Sequence, residues 1–198
     1  MFGELLRHEG VVEVCELRSP FGFMAFHGGS LERVTDEIAA EASARAGASY
    51  YAVLQPPDLR WHVPSRLVSP SQSEALAEFL DHAQATVAVH GYGRRDHFTT
   101  LLLGGRNRAL ASHLAAHLRP SLPHYDVVDD LDHIPEALRG QHPDNPVNHP
   151  GTPGVQLELP PRVRGLGPYW ADADDGARAP HTEALIDALA TAAGSWEG

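Results

Sequence analysis

"GFMAFHGGSLERVTDEIAAEASARAGASYYAVLQ", running from Gly22 to Gln55, holds three patterns in succession. Gly22 to Gly28 is an apolar run that stops at His27 and a pair of glycines, the pattern of a strand. From Leu31 to about Ala46 apolar residues recur at helical spacing, with Ser30 placed to cap the helix and Gly47 to stop it. Ser49 to Gln55 returns to a strand pattern. Strand, helix and strand in one stretch point to a layered α/β fold.

The same alternation extends in both directions. Upstream, "VVEVCEL" (Val11 to Leu17) reads as a strand joined through the turn "RSPF" to the Gly22 strand, so a hairpin or near-neighbour pair is expected. Downstream, "PPDLRWHVPSRLVSPS" is an irregular proline-rich loop, and Ser71 with Glu74 forms a capping box for a helix to about Ala83. Strands follow at "TVAVHG" (Thr86 to Gly91) and "HFTTLLLGG", then a helix at "NRALASHLAAHL" and a further strand at "YDVVDDL". "HPDNPVNHPGTPG" is a long loop, "VQLEL" (Val155 to Leu159) a short strand, and Thr182 to Ala193 a last helix. The expectation is one domain over residues 1–198, an open mixed β-sheet flanked by helices, with its site in the loops at the strand ends.

Composition narrows the function. The net charge of -11 comes from scattered acidic residues, which gives no electrostatic support to a nucleic-acid or anionic-membrane partner. The single cysteine, Cys15, excludes an internal disulfide framework and a zinc site built on several thiolates. No segment has the pattern of a signal peptide or membrane span, so a cytoplasmic protein is expected.

Three strands end or break at a polar group: His27 before Gly28-Gly29, His90 before Gly91, and Glu158 inside "VQLEL". The carboxyl ends of strands in an open α/β sheet share a crevice, so these groups can converge. Glu32 follows the glycine turn, which lets it point at the same cation as His27, and His90 supplies a third ligand. Two histidines and a glutamate leave a fourth position for water, as in catalytic zinc sites. Glu158 shares a strand face with Gln156 and is placed to act as general base.

Simpler readings stand beside these: His27 as a hydrogen-bonded turn residue, Glu32 as a helix N-terminal acid, and Glu158 as a solvent-facing edge glutamate. Arg94, Arg95, Arg106, Arg162 and Arg164 lie near the expected crevice and could hold a substrate carboxylate. His113 and His117, at helical spacing, have no third ligand and read as surface.

"AFHGGSLE", "VAVHG", "LLLGG", "NPVN" and "GVQLELPPRVR" occur in an order that resembles the poly-γ-glutamate hydrolase family, over roughly Phe23 to Arg164. The resemblance implies a zinc peptidase with a carboxypeptidase A-like fold. Zn2+ ligands at His27, Glu32 and His90, a catalytic Glu158, and an amide substrate beside a carboxylate are implied with it. It further suggests Arg164 and Asn148 as substrate contacts, with Asn148-His149 standing where the family has asparagine followed by arginine. The expected partner is a polymeric or small glutamyl substrate. Two rivals use the same residues: a zinc amidohydrolase for a small acidic N-acyl amino acid, and a non-catalytic carboxylate-binding module.

Overall fold

The computed structural model describes residues 1–94, 96–149, 153–166 and 178–198. Its strands are β1 (Val12–Glu16), β2 (Ser19–Gly29), β3 (Ala48–Gln55), β4 (Ala85–Gly91), β5 (Thr100–Leu103), β6 (Asp126–Val128) and β7 (Val155–Leu159). They form one seven-stranded sheet in the order β1-β3-β2-β4-β7-β5-β6. Pairing is antiparallel for β1 with β3 and β5 with β7, and parallel elsewhere, so the sheet is mixed.

The α-helices are α1 (Phe2–Leu6), α2 (Thr35–Ala46), α3 (Glu74–His82), α4 (Arg108–Ser121) and α5 (Pro180–Gly194). Central strands send side chains into a core on each face. Phe23, Ala25, Val87, Val89 and Leu157 pack with α2, α4 and α5. Met24, Phe26, Tyr51, Val53 and Ala88 pack with Leu5, Leu76 and Phe79 of α1 and α3. Burial on both faces is why these strands read as continuous apolar runs. Among the described residues no helix is long and apolar enough to cross a membrane.

Several boundaries differ from the sequence expectation. The strands at Val12 and Ser19 form no hairpin, because β3 lies between them and pairs with both. β1 is half-exposed and takes the edge, whereas β2 is buried along most of its length and needs a neighbour on each side. Helix α2 starts at Thr35 instead of Leu31, and Ser30 caps nothing, its hydroxyl donating to the carbonyl of Leu59. Residues 30–34 form a turn held by the Glu32 amide donating to the His27 carbonyl at 2.9 Å. Val34 closes that turn with a φ of 74°, a left-handed conformation that a β-branched residue adopts only under constraint. Ser73, not Ser71, caps α3, accepting from the Leu76 amide at 2.9 Å. Helix α1 had no advance signal, being short, yet it buries Phe2 and Leu5 completely.

Candidate metal centre

Strands β2, β4 and β7 run parallel, so their carboxyl ends meet at one edge of the sheet. Parity alone would misplace the first site residue. Ala25 faces α2, and period-two alternation would send His27 to the same side. The β2–β3 register shifts between Ala25↔Ala52 and Gly28↔Leu54, leaving one extra residue on β2. This bulge turns Phe26 and His27 to the opposite face together, where their rings lie 5.0 Å apart. The His27 ring is likewise 5.0 Å from that of His90.

Glu32 lies between the two histidines. Its Oε1 is 2.9 Å from His27 Nδ1, and its Oε2 is 3.2 Å from His90 Nδ1 and accepts from the Gly91 amide at 3.0 Å. His27 Nε2 donates to the Val63 carbonyl at 2.8 Å, which orients the ring with Nδ1 toward the carboxylate. Burial pushes the Glu32 carboxyl up, but His90 and His27 outweigh it and hold the group far below the usual carboxylate range. An imidazole nitrogen and a carboxylate oxygen at such distances need a proton or a cation between them. The donor set of two imidazoles and one carboxylate therefore fits a zinc-type ion. His90 Nε2 is buried without a hydrogen-bond partner among the described residues.

Glu158 pairs in register with His90 across β4 and β7 and faces the same opening. It is buried, and its Oε1 accepts from Gln156 Nε2 at 2.8 Å. Asn145 Nδ2 in turn donates to Gln156 Oε1 at 2.7 Å, so a chain of amides fixes the carboxylate. Burial raises the Glu158 carboxyl; His90 opposes the shift and Glu32 adds to it.

The opening has a volume of roughly 320 Å3 and is lined by His27, Glu32, His62, Arg66, His90 and Glu158, among others. His62 and Arg66 come from the proline-rich loop, where nothing in the sequence distinguished them from surface residues. Gln55 anchors that loop, donating to the Trp61 carbonyl at 2.9 Å and accepting from its amide at 2.8 Å. One ligand atom each of His27, Glu32 and His62 lie within 4.8 Å of one another. Two histidines thus stand near the carboxylate as candidates for a third ligand beside His27: the buried His90 and the exposed His62.

Among the described residues, the arginines and asparagine expected to contact substrate do not line this opening. Arg164 is buried, with Nη1 donating to the Arg33 carbonyl at 2.8 Å and Nη2 to the Tyr92 carbonyl at 3.2 Å. Asn148 is also buried; its Oδ1 accepts from the Arg106 amide at 2.9 Å and its Nδ2 donates to the carbonyls of Gly140 and His142. Both side chains are used in holding loops, and neither lines the opening. Arg94 is exposed beyond Tyr92 and outside the lining. Arg162 stacks over Tyr125 at 5.8 Å, and Arg106 is exposed. Arg95 and residues 167–177 of the "GPYWADADDGARAP" segment lie outside the described residues. His113 and His117 pack beside Ser195, whose Oγ is 3.3 Å from each Nε2.

Residues 5–166 match the model of a family described as poly-gamma-glutamate hydrolase. The fold is similar to that of a bacteriophage poly-gamma-glutamate hydrolase, with a TM-score of 0.78 at 22% identity over 96% of this chain and 91% of that one. It is also similar to YNDL in its zinc-free form, with a TM-score of 0.75 at 21% identity over 93% and 90% of the two chains. A third likeness is to gene product Atu2144 from Agrobacterium tumefaciens, with a TM-score of 0.55 at 11% identity over 94% and 95%. No curated protein matches the chain.

Proposed function

The chain belongs to the poly-gamma-glutamate hydrolase family, and we propose that it hydrolyses amide bonds in γ-linked glutamate polymers with a zinc ion held by His27, Glu32 and His90. The observation that carries this reading is the convergence of His27 Nδ1 and His90 Nδ1 on the two oxygens of Glu32, at 2.9 and 3.2 Å, with Glu158 in register beside His90. Family membership supports the hydrolytic class, and the donor set supports the metal. His90 is preferred over His62 as third ligand because it is buried and reaches the same carboxylate directly.

Zinc bound there would polarise the scissile carbonyl and acidify water. The remaining chemistry falls to the chain. Glu158 takes the proton from the attacking water and returns it to the leaving amine. A carboxyl raised by burial suits that exchange, because it takes up the proton more readily than an exposed acid would. Gln156 and Asn145 keep the carboxylate aimed, and the Val63 carbonyl keeps His27 in the tautomer that leaves Nδ1 free for a ligand.

The test is depolymerisation of γ-linked polyglutamate by protein of measured zinc content, beside the Glu158→Gln variant. Product release that requires both zinc and Glu158 is the expected result. A zinc-loaded protein that leaves the polymer intact, or a variant as active as the parent, would overturn the reading.

A further inference from the structure

Beside the catalytic opening lies a second depression of roughly 390 Å3, lined by Arg66, Ser69, Asp144, Asn145, Pro146 and His149, among others. Arg66 and Asn145 belong to both walls, so the two spaces share a ridge. The chain contains no lysine, so every permanently charged basic side chain in it is an arginine. Among the described residues Arg66 is the only arginine lining either space. It is exposed on the short turn Ser65–Leu67, and its guanidinium makes no hydrogen bond or ion pair among the described residues. By contrast, Arg164 is held by two backbone carbonyls and Arg108 by four.

Resting on the functional reading above, we propose that the second depression is a subsite for a neighbouring γ-linked glutamyl residue, whose free α-carboxylate is held by Arg66. A γ-linked chain presents one such carboxylate per residue, and a guanidinium offers it two parallel N–H donors. A protein of net charge -11 repels a polyanion on average, so the polymer must be held where a cation is locally available. Ser69 and His149 line the subsite and can donate to the same carboxylate. Asp144 lies on the wall too, within 3.8 Å of His142 Nδ1, a neighbour that offsets its charge when protonated. Glu136 lines the catalytic opening and leaves Arg66 without a bonded acid there. The ridge position lets the arginine contact a chain that extends from one space into the other.

The experiment compares γ-linked glutamate oligomers of two to six residues as substrates of the zinc-loaded wild type, Arg66→Ala, Arg66→Lys and His149→Ala. The wild type is expected to gain kcat/KM as length increases, and Arg66→Ala to lose it mainly through KM, by about tenfold on the longest oligomers and far less on the shortest. Arg66→Lys, which keeps the charge but not the paired donors, should fall between. An Arg66→Ala penalty that is equal at every length, or absent, overturns the subsite and leaves the hydrolytic reading intact. A wild type that cleaves no oligomer and no polymer overturns both.

Discussion

Gly91 and Arg164 occupy contiguous space: a methyl group added at position 91 would lie 2.6 Å from Cζ of the Arg164 guanidinium. The guanidinium lies against the glycine while donating to the Arg33 and Tyr92 carbonyls, and so ties the turn that carries Glu32 to the end of the strand that carries His90. Gly91 also donates its amide to Glu32. The glycine is thus needed for close approach, and Arg164 acts as a positioning residue for the segments that carry Glu32 and His90.

Gly91→Ala should therefore displace Arg164 and loosen Glu32. The expected cost is about 1–3 kcal/mol in denaturant unfolding, the range for overpacking a buried site, with weaker zinc binding as the second readout. Because both changes act on one contact, Gly91→Ala and Arg164→Ala should combine to less than the sum of their separate costs. Additive costs would show that the two residues act independently.

The metal set gives a second expectation. Ala substitution of His27, Glu32 or His90 should abolish stoichiometric zinc in dialysed protein, measured by elemental analysis. His62→Ala should retain it, because His62 is exposed and on a loop. Retained zinc in His90→Ala with loss in His62→Ala would exchange the two histidines. Zinc should also raise the melting temperature of the wild type in proportion to the logarithm of its free concentration above Kd, and chelation should reverse the rise.

How much of this was legible depended on whether the signal was local. The strands ending in His27 and His90, and the acid inside "VQLEL", stood out because a polar group interrupts an apolar run. The alternation of strands and helices carried the α/β class for the same reason. Strand order was not legible, because nothing in "VVEVCEL" records that β3 inserts beside it. The bulge at Phe26-His27 was equally hidden: simple alternation puts His27 on the wrong face, and only the paired strand reveals the extra residue. Arg66 and His62 belong to a loop without periodicity, whereas Arg164 and Asn148 drew notice through their motifs although backbone groups occupy them. Chemistry at strand ends is written locally, and loop contributions are set by tertiary placement.

A third expectation concerns the bulge. Deleting one residue from Phe26-His27 would restore simple pairing with β3 but remove the ring contact or His27 itself, so the milder test is Phe26→Leu. Phe26 lies 4.8 Å from the His90 ring and 5.0 Å from that of His27, edge-on to both. Losing the aromatic wedge should cost about 1–2 kcal/mol of stability and lower zinc affinity through ring mobility, with the metal stoichiometry unchanged. Unaltered zinc affinity would mean that hydrogen bonds alone fix the two histidines.

The last expectation uses the raised carboxyl of Glu158 in metal-depleted protein. Burial lifts its folded-state pKa above the ordinary value of 4.5, so between these two values the folded state binds more protons than the unfolded chain. Stability is then fully present below about pH 4.5 and is lost as pH rises through the folded-state value, because a charge must be carried in the interior. Glu158→Gln removes that charge while its amide oxygen still accepts from Gln156. The variant should melt above the wild type at pH 7, and the difference should close as the pH is lowered to about 4. Hydrolysis by the zinc-loaded variant should fall by about 10²- to 10⁴-fold, the usual contribution of a general acid-base group. A variant that melts below the wild type at pH 7 would mean that the carboxylate stabilises the fold, and that the site places no destabilising charge in the core.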